Sequence, residues 1–271
     1  MRILDLTRLL PGAFATALLA DLGADVVKVE QPGAGDPMRA YAPRIDGTSA
    51  YSWVADRNKR SVALDLRDPR GAAALLRLAA GADVLLESFR PGVAGRLGVG
   101  PDAVRAANPA LVLASLTGYG TGGPLAQAAG HDLNYAGRAG ALGAVPAVPG
   151  TQVADLGGAL FGVAGLLAAL VRARTTGEGD HVQVSLAEAA FALMVVPVAE
   201  ELSGAGESGL LAGTIPCYNV FACADGRHLT VGALEERFWT ELCEGVGRPD
   251  LLPTRADPDA VATWRELNEV W

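Results

Sequence analysis

The chain contains few of the residues that build disulfide bridges and metal sites. Of its 271 residues, three are histidines and three are cysteines, namely Cys217, Cys223 and Cys243. The number of cysteines is odd and no two are spaced as CxxC, so the sequence predicts neither a disulfide framework nor a metal site. The N-terminus shows no signal-peptide pattern, and we therefore expect the reducing environment of the cytoplasm.

Positive charge is also in short supply. The formal net charge is −8 and the isoelectric point is near 4.9. Because nucleic acids and anionic membrane surfaces attract basic proteins, the sequence disfavours both as partners.

Long hydrophobic runs are nearly absent. Residues 156–171 are almost all apolar, but this run is shorter than the ~20 residues that span a bilayer. It contains four glycines, which suit close packing between helices. We therefore predict a buried helix here, not a membrane span.

A dinucleotide-binding fingerprint is missing from the place where such a fold would need it. The turn after the first strand pattern reads TRLLPGA instead of GxGxxG, which argues against a nicotinamide or flavin nucleotide. Gly118, Gly120 and Gly123 do match the spacing, but they lie far along the chain and Pro124 follows them directly.

What the chain does contain is a regular alternation of strands and helices. Strand patterns, each followed by a turn or helix pattern, occur at residues 2–6, 25–30, 61–66, 83–89 and 111–120. This alternation predicts an α/β fold with a doubly wound parallel sheet in residues 1–202. The first helix is predicted at about residues 13–22, a long loop at 31–58, and a late helix at 187–202.

The pattern changes after residue 202. Residues 203–209 are small, polar and rich in glycine, which predicts a linker. Two strand patterns then flank the turn 224–227, and a helix pattern follows at 235–246. We predict a second, smaller α+β domain in residues 203–271.

The stretch from Gly118 to Asp155 is the strongest candidate for a functional site. Its glycine, alanine and proline content lets main chain approach a ligand without obstruction by side chains. It holds His131 between Gly130 and Asp132, and it ends on Asp155 at the start of the apolar run. We hypothesise that His131 and Asp155 form an acid/base pair that acts on a thioester.

Each of these features also has a structural interpretation. Taken alone, His131 is more typical of a packed, hydrogen-bonded histidine, and Asp155 of a helix N-cap. Asp132 fits either a role in orienting the imidazole or a cap on the helix that follows it. The basic segment 57–60 (RNKR) fits either a phosphate clamp or a solvated edge.

Nine segments together resemble the class III CoA-transferase (CaiB/BaiF) family, and within it the α-methylacyl-CoA racemase branch. As they stand here they read LDLTRLLPG, LADLGADVVKVEQPGAGDPMR, NKRSVALDL, DVLLESFRPGV, LTGYGTGGP, AGHDLNY, VADLGG, TGEGDHVQVSL and CYNVFACADGRHLTVGALEERFW. They cover nearly all of the chain in the family's order. The resemblance implies a Rossmann-like large domain, a small domain, and two ring-shaped subunits interlocked as a homodimer. It implies no metal or redox cofactor, because coenzyme A is part of the acyl-CoA substrate.

The resemblance also implies which residues act. His131 and Asp155 match the family's catalytic positions, and Glu235 matches an acid that reaches the site from the partner subunit. Gln31 stands where relatives often have a basic residue, which weakens one expected phosphate contact. The coenzyme contacts implied by the family are Gln31, Leu64, Asp65, Leu66, Arg67, Ser88, Phe89, Arg90, Arg96, Gly130, Asp132, Leu133, Asn134 and Tyr135.

The activity implied by the resemblance is inversion of the α-carbon of a 2-methylacyl-CoA. One group removes the α-proton and another returns a proton on the opposite face, so two acid/base groups are needed. His131 suits this task near neutral pH, and Asp155 does so if burial raises its pKa.

Two alternatives stay open. In a CoA-transferase, Asp155 would attack an acyl-CoA, form a mixed anhydride and pass CoA to a second carboxylic acid, with His131 only a neighbour. In a shortened, inactive homologue, the chain would bind CoA without chemistry. The second alternative arises because relatives continue past the position of Trp271 with a segment that returns to the large domain.

Overall fold

The computed structural model describes residues 1–143, 147–204 and 210–266. The chain divides into two compact units, Met1–Val195 and Val196–Trp271. The predicted linker at 203–209 falls mostly on residues outside the described part of the chain.

The first unit is built on a parallel sheet, which confirms the predicted α/β class. The strands of the first unit are β1 (Arg2–Leu6), β2 (Asp25–Glu30), β3 (Arg44–Ile45), β4 (Thr48–Ser49), β5 (Lys59–Ala63), β6 (Val84–Glu87), β7 (Val112–Thr117) and β8 (His181–Ser185). Strands β3 and β4 form a separate antiparallel pair. The six parallel strands lie in the order β5-β2-β1-β6-β7-β8. The order therefore reverses between β1 and β6.

Helices cover both faces of this sheet. The helices of this unit are α1 (Leu9–Asp21), α2 (Ala50–Ala55), α3 (Pro69–Ala79), α4 (Val93–Arg96), α5 (Pro101–Ala107), α6 (Asp132–Arg138), α7 (Val153–Thr176) and α8 (Leu186–Ala192). Helix α9 (Val195–Ser203) begins at the boundary and falls almost wholly within the second unit. Helices α1 and α7 share a core with Ile3 and Leu116 on one face. Helices α3 and α5 share a core with Leu4 and Leu113 on the other face. The sheet is thus doubly wound, with its inner strands β1, β6 and β7 buried between two helical layers.

Local sequence explains where the main helices start and stop. Asp68 accepts a hydrogen bond from the Arg70 N–H at 2.9 Å, and Pro69 occupies the first helical position of α3. Gly177, in the left-handed conformation, ends α7. Pro11 lies in the first turn of α1, where its missing N–H costs nothing, so α1 begins at Leu9 and not near residue 13 as predicted.

Helix α7 is longer than the apolar run that predicted it. Its 24 residues are long and apolar enough, by length and composition, to span a bilayer, a test that core helices of soluble proteins also pass. One face packs tightly, because a Cβ at Gly158 would lie 2.3 Å from the Leu186 side chain. Leu160, Phe161 and Val171 are exposed on α7. The predicted burial therefore holds for one face of the helix only.

Two further predictions were wrong. The predicted loop at 31–58 contains a 3-10 turn (Pro37–Ala40), the β3–β4 pair and α2. The single helix predicted at 187–202 is two helices, α8 and α9, separated at residues 193–194. Short elements of this kind span too few residues to show the hydrophobic periodicity from which a helix or strand is predicted.

The second unit has its own core. Strands β9 (Tyr218–Ala222) and β10 (His228–Gly232) form the antiparallel hairpin that the sequence predicts. Helices α10 (Glu236–Gly245) and α11 (Val261–Glu266) follow, and Trp239, Trp264 and Phe221 are buried with Cys217 and Cys243. All three cysteines are free.

Candidate active site

A cavity of about 310 Å³ lies at the carboxyl ends of β1, β2, β5 and β6. This is where the strand order reverses, and open parallel sheets bind ligands in the crevice at such a point. We refer to it as the β1–β6 cavity. Its walls are formed by Leu6, Thr7, Arg8, Val29, Glu30, Gln31, Gly35, Asp36, Leu64, Asp65, Leu66, Arg67, Phe89, Val93 and Leu97.

Many of the residues proposed to contact the coenzyme meet in this cavity. Gln31, the segment 64–67 and Phe89 all line it. Ser88 lies at its edge, where its Oγ accepts a hydrogen bond from the main-chain N–H of Arg8 at 2.9 Å. Arg90 and Arg96 are exposed and are not among the lining residues.

A buried network of charged side chains adjoins the cavity. The Lys28 ammonium is 3.0 Å from Asp36, 3.6 Å from Asp56 and 3.9 Å from Asp5. Lys59 contacts Asp56 at 3.1 Å and Asp5 at 3.4 Å. Burial acts to lower the pKa of Lys28, but the attraction of the three carboxylates outweighs it and raises that pKa. The lysine therefore stays charged and holds Asp36, a cavity residue, in place.

The basic segment beside β5, for which the sequence left a phosphate clamp and a solvated edge open, forms ion pairs within the chain. Lys59 is buried among the carboxylates. Arg57 pairs with Asp21 and Arg60 pairs with Asp25 on the surface. All three cations thus have partners within the chain, and the fold uses them to hold its own strands and loops.

Glu30 ends β2 at the position where dinucleotide-binding folds present an acid to a ribose. Here its carboxylate accepts hydrogen bonds from the Arg39 guanidinium at 2.7 and 2.5 Å. Gly35 sits against this pair, since a Cβ there would lie 2.4 Å from the Glu30 carboxylate. The Glu30 carboxylate is therefore engaged by Arg39 and is not free to bind a ribose, which agrees with the missing dinucleotide-binding fingerprint.

The glycine-rich site, which comprises Gly118, residues 130–135 and Asp155, is a second centre in the same unit. Tyr135 is buried at its middle, donates to the Gly130 carbonyl at 2.6 Å and packs edge-on against Tyr119. A Cβ at Gly118 or at Gly130 would lie 2.6 or 2.7 Å from the Tyr135 ring. Both glycines are required because main chain lies directly on this ring.

Asp132 joins the two halves of this site. Its Oδ1 accepts hydrogen bonds from the main-chain N–H groups of Ala154 at 2.8 Å and Asp155 at 2.9 Å. The carboxylate therefore caps the first turn of α7. Of the two interpretations drawn from the sequence, the structure supports a cap, but on α7 and not on the helix that directly follows Asp132, whose N-cap residue is His131.

The adjoining residues hold His131 at the start of α6. Asn134 Oδ1 accepts a hydrogen bond from the His131 main-chain N–H at 3.0 Å, which fixes the turn. The imidazole itself is exposed, as is Leu133. His131 is thus an exposed histidine and not a packed core residue.

Asp155 is the acid with the most altered titration here. Burial raises its pKa to about 6, the nearby Asp132 carboxylate adds to the rise, and His131 partly offsets it. Burial and the charge of Asp155 raise the pKa of Tyr135 to about 12, and Arg90 acts against this. His131, Asp132, Tyr135, Asp155 and Arg90 therefore influence one another electrostatically.

Glu235 lies in the second unit. It is the N-cap residue of α10 and is exposed. Within the described residues, no group of three or more histidine, cysteine or acidic side chains is arranged to hold a metal ion.

Comparison with known proteins matches the profile of CoA-transferase family III to residues 1–270. Succinyl-CoA:glutarate CoA-transferase of Mus musculus is 36% identical over 262 residues, which cover 93% of this chain and 60% of that protein. Human α-methylacyl-CoA racemase is 35% identical over 279 residues, which cover 98% of this chain and 69% of that protein. The chain thus spans about three-fifths to two-thirds of the length of these relatives.

Solved structures of similar proteins support the same family assignment. A CaiB/BaiF family protein of Brucella suis superposes with a TM-score of 0.86 at 27% identity, covering 99% of this chain and 76% of that one. A hypothetical protein of Mycobacterium tuberculosis superposes with a TM-score of 0.81 at 33% identity, covering 99% and 74%. In sequence and in fold, this chain belongs to CoA-transferase family III.

Proposed function

We propose that the chain inverts the α-carbon of a 2-methylacyl-CoA thioester. The observation that carries the proposal is Asp155, a half-buried acid whose pKa is raised to about 6 beside His131. A buried acid with a raised pKa and a histidine, on different elements of one site, suit a reaction that needs one acid/base group on each face.

The proposed step is a 1,1-proton transfer. One of the two groups takes the α-proton, and the electron pair of the C–H bond moves onto the thioester carbonyl to give an enolate. The other group, protonated, returns a proton to the opposite face as the carbonyl re-forms. The acyl–sulfur bond stays intact, and no other reactant is consumed. Main-chain N–H groups and nearby positive charge stabilise the enolate oxygen in such sites.

In this proposal the β1–β6 cavity takes the nucleotide end of coenzyme A, with Gln31, residues 64–67, Ser88 and Phe89 as contacts. The coenzyme belongs to the substrate, and no further cofactor is required. The exposed Leu160, Phe161 and Val171 of α7 support a second copy of the chain as partner. Such a dimer, interlocked as in the family, would supply Glu235 to its neighbour's site.

CoA transfer is the second candidate, because relatives named as CoA-transferases are up to 36% identical to this chain. The ionised Asp155 would attack the thioester carbonyl, break the C–S bond, and form a mixed anhydride as CoA thiolate leaves. The thiolate would then attack the aspartyl carbonyl and release the donor acid, and an acceptor carboxylate would take over the CoA by the reverse steps.

Proton NMR of each enantiomer of a 2-methylacyl-CoA in D₂O, without an acceptor acid, separates these functions. We expect the chain to replace the α-proton by deuterium and to interconvert the enantiomers. His131→Ala should slow interconversion by about 10²-fold or more, in the range typical of a lost acid/base group. It should also spare deuterium exchange of the enantiomer whose α-proton faces Asp155.

His228→Ala, which removes an exposed histidine of β10, is the matched control and should change neither rate. Absence of exchange in the unaltered chain would overturn the racemase proposal. CoA transfer on addition of a dicarboxylic acid would then establish the second candidate, and CoA binding without either reaction would indicate an inactive homologue.

A further inference from the structure

The N-terminus of α1 faces the β1–β6 cavity at the place where dinucleotide enzymes bind a diphosphate. In this chain that place is already taken by a carboxylate. The main-chain N–H of Leu9 donates to both oxygens of Asp36, at 3.4 and 3.3 Å, and Pro11 has no N–H to offer. Of the N–H groups that could bind an anion at this turn, that of Leu9 is thus already engaged by Asp36 and the one at position 11 is missing.

Asp36 is also firmly held. It is 3% exposed, and Lys28 contacts it at 3.0 Å. A phosphate placed at the start of α1 would meet this fixed negative charge, and like charges at such short range repel strongly where water is excluded. A nucleotide that enters the cavity must therefore find positive charge elsewhere in its walls.

The cavity walls contain two cationic side chains, Arg8 and Arg67. Arg67 is held by Asp65, through two hydrogen bonds of 3.0 and 3.1 Å. Gln31 is neutral. Arg8 forms no ion pair with any described residue, so its guanidinium is the cation of this cavity that an external anion meets without competition from a carboxylate of the chain.

Arg8 is nevertheless well positioned. Its main-chain N–H donates to Ser88 Oγ at 2.9 Å, which ties the turn after β1 to the end of β6. Its guanidinium carbon lies 5.8 Å from the centre of the Phe89 ring, within the range of a cation–π contact. An arginine that rests on an aromatic ring keeps its N–H groups free for the planar, bidentate contacts that phosphates favour.

We propose that Arg8 binds a phosphate group of the coenzyme's nucleotide and is the residue that selects phosphorylated nucleotides in this cavity. The inference rests on the proposed function, which supplies coenzyme A as the ligand. It also accounts for Gln31, because Arg8, another residue of the cavity wall, provides the positive charge that residue 31 lacks. The two phosphate sources, the 3′-phosphate and the diphosphate, are separated by experiment.

The test is calorimetric titration of the unaltered chain and of Arg8→Gln with coenzyme A and with 3′-dephospho-coenzyme A. We expect Arg8→Gln to weaken coenzyme A binding about 10- to 100-fold, the value of a charge-assisted hydrogen bond. Binding by the unaltered chain should also weaken more steeply with salt than binding by the variant. Arg8→Lys should restore part of the affinity.

The two ligands identify the phosphate. A loss confined to coenzyme A assigns Arg8 to the 3′-phosphate, and an equal loss for both ligands assigns it to the diphosphate. Arg77→Gln, which removes an exposed arginine near the end of α3, is the matched control and should bind both ligands as the unaltered chain does.

Equal affinity of the unaltered chain and Arg8→Gln for coenzyme A would overturn the role of Arg8 and leave the proposed function standing. The role of Arg8 would also be overturned if Arg8→Gln bound both ligands more weakly but its binding depended on salt as steeply as that of the unaltered chain. A purely structural effect of the substitution would behave in that way. Failure of the unaltered chain to bind coenzyme A would overturn the proposed function itself.

Discussion

The β1–β6 cavity and the glycine-rich site both contain carboxylates removed from water, and the two sites differ in what faces those carboxylates. In the cavity, Glu30 faces the Arg39 guanidinium and Asp36 faces the Lys28 ammonium. In the glycine-rich site, Asp155 forms no ion pair with any described residue, and the nearest carboxylate, Asp132, acts against its ionisation.

The groups that face these carboxylates decide whether each acid can exchange protons near neutral pH. Burial acts to raise the pKa of Glu30, but the hydrogen bonds and charge of Arg39 outweigh it and the pKa is lowered. Such an acid stays ionised near neutral pH and can shape a cavity but cannot exchange protons there. Asp155, with its pKa raised to about 6, can hold or release a proton under the same conditions. The following substitutions test whether the two sites differ in this way.

Lys28→Met should cause the largest change, because it leaves buried carboxylates with only Lys59 to balance them. We expect the free energy of unfolding to fall by about 3–5 kcal/mol, the range found when one partner of a buried ion pair is removed. Urea denaturation followed by circular dichroism would measure this change. Arg172→Met, which breaks the exposed pair with Asp180, is the control and should cost about 1 kcal/mol or less.

If Lys28→Met lowered the free energy of unfolding no more than Arg172→Met does, the contrast between the two sites would fail for the β1–β6 cavity. It would mean that the network holds no more energy than a surface pair, and that Asp36 is fixed by other contacts.

Asp155→Asn should act in the opposite direction on stability. The folded pKa of Asp155, about 6, lies above the ordinary aspartate pKa of 3.8, so the folded state binds the proton more tightly than the unfolded chain does. Stability from this group is therefore present below about pH 4, is lost as the pH rises to about 6, and stays lost above that.

At pH 8, Asp155→Asn should accordingly raise the free energy of unfolding by up to about 3 kcal/mol, while at pH 4 the gain should vanish. The same variant should lose α-proton exchange. Denaturation at the two pH values is the measurement, with Asp102→Asn, an exposed acid in the first turn of α5, as control. A variant that is equally stable to the unaltered chain at both pH values would show that Asp155 is not strained by burial.

Substitutions of Asp132 should have the smallest effect and the most informative pattern. Asn keeps the Oδ1 that accepts the two N–H groups of α7 but removes the charge, whereas Ala removes both. We expect Asp132→Asn to leave stability nearly unchanged and to lower the pKa of Asp155, because the repelling charge is gone. Asp132→Ala should also cost about 1 kcal/mol of stability, the value of a lost helix cap.

Carbon-13 NMR of the aspartate carboxyl groups would follow the titration of Asp155 without any assay of activity. If the Asp155 pKa were the same in Asp132→Asn and in the unaltered chain, burial alone would account for it, and the electrostatic link across the site would be refuted.

The sequence predicted the first half of the fold because alternating strand and helix patterns have long, regular periods. The family resemblance also named Gln31, residues 64–67 and Phe89 together, and these residues line one cavity in the structure. The sequence could not predict that Lys59 is buried, since a basic segment next to a strand looks the same whether its charges face water or carboxylates. Nor could it reveal that Asp132 caps a helix that begins some twenty residues later, because that contact depends on how α6 and α7 meet.

The Asp132 cap has a consequence for how such a site can diversify. His131 is the backbone neighbour of Asp132, and Asp155 donates its N–H to the Asp132 carboxylate, so the two proposed proton-transfer residues are held together by one side chain. Their spacing is therefore independent of the length and sequence of the chain that connects α6 to α7. Changes in that connection that leave the Asp132 contact intact should therefore leave the proposed pair in register.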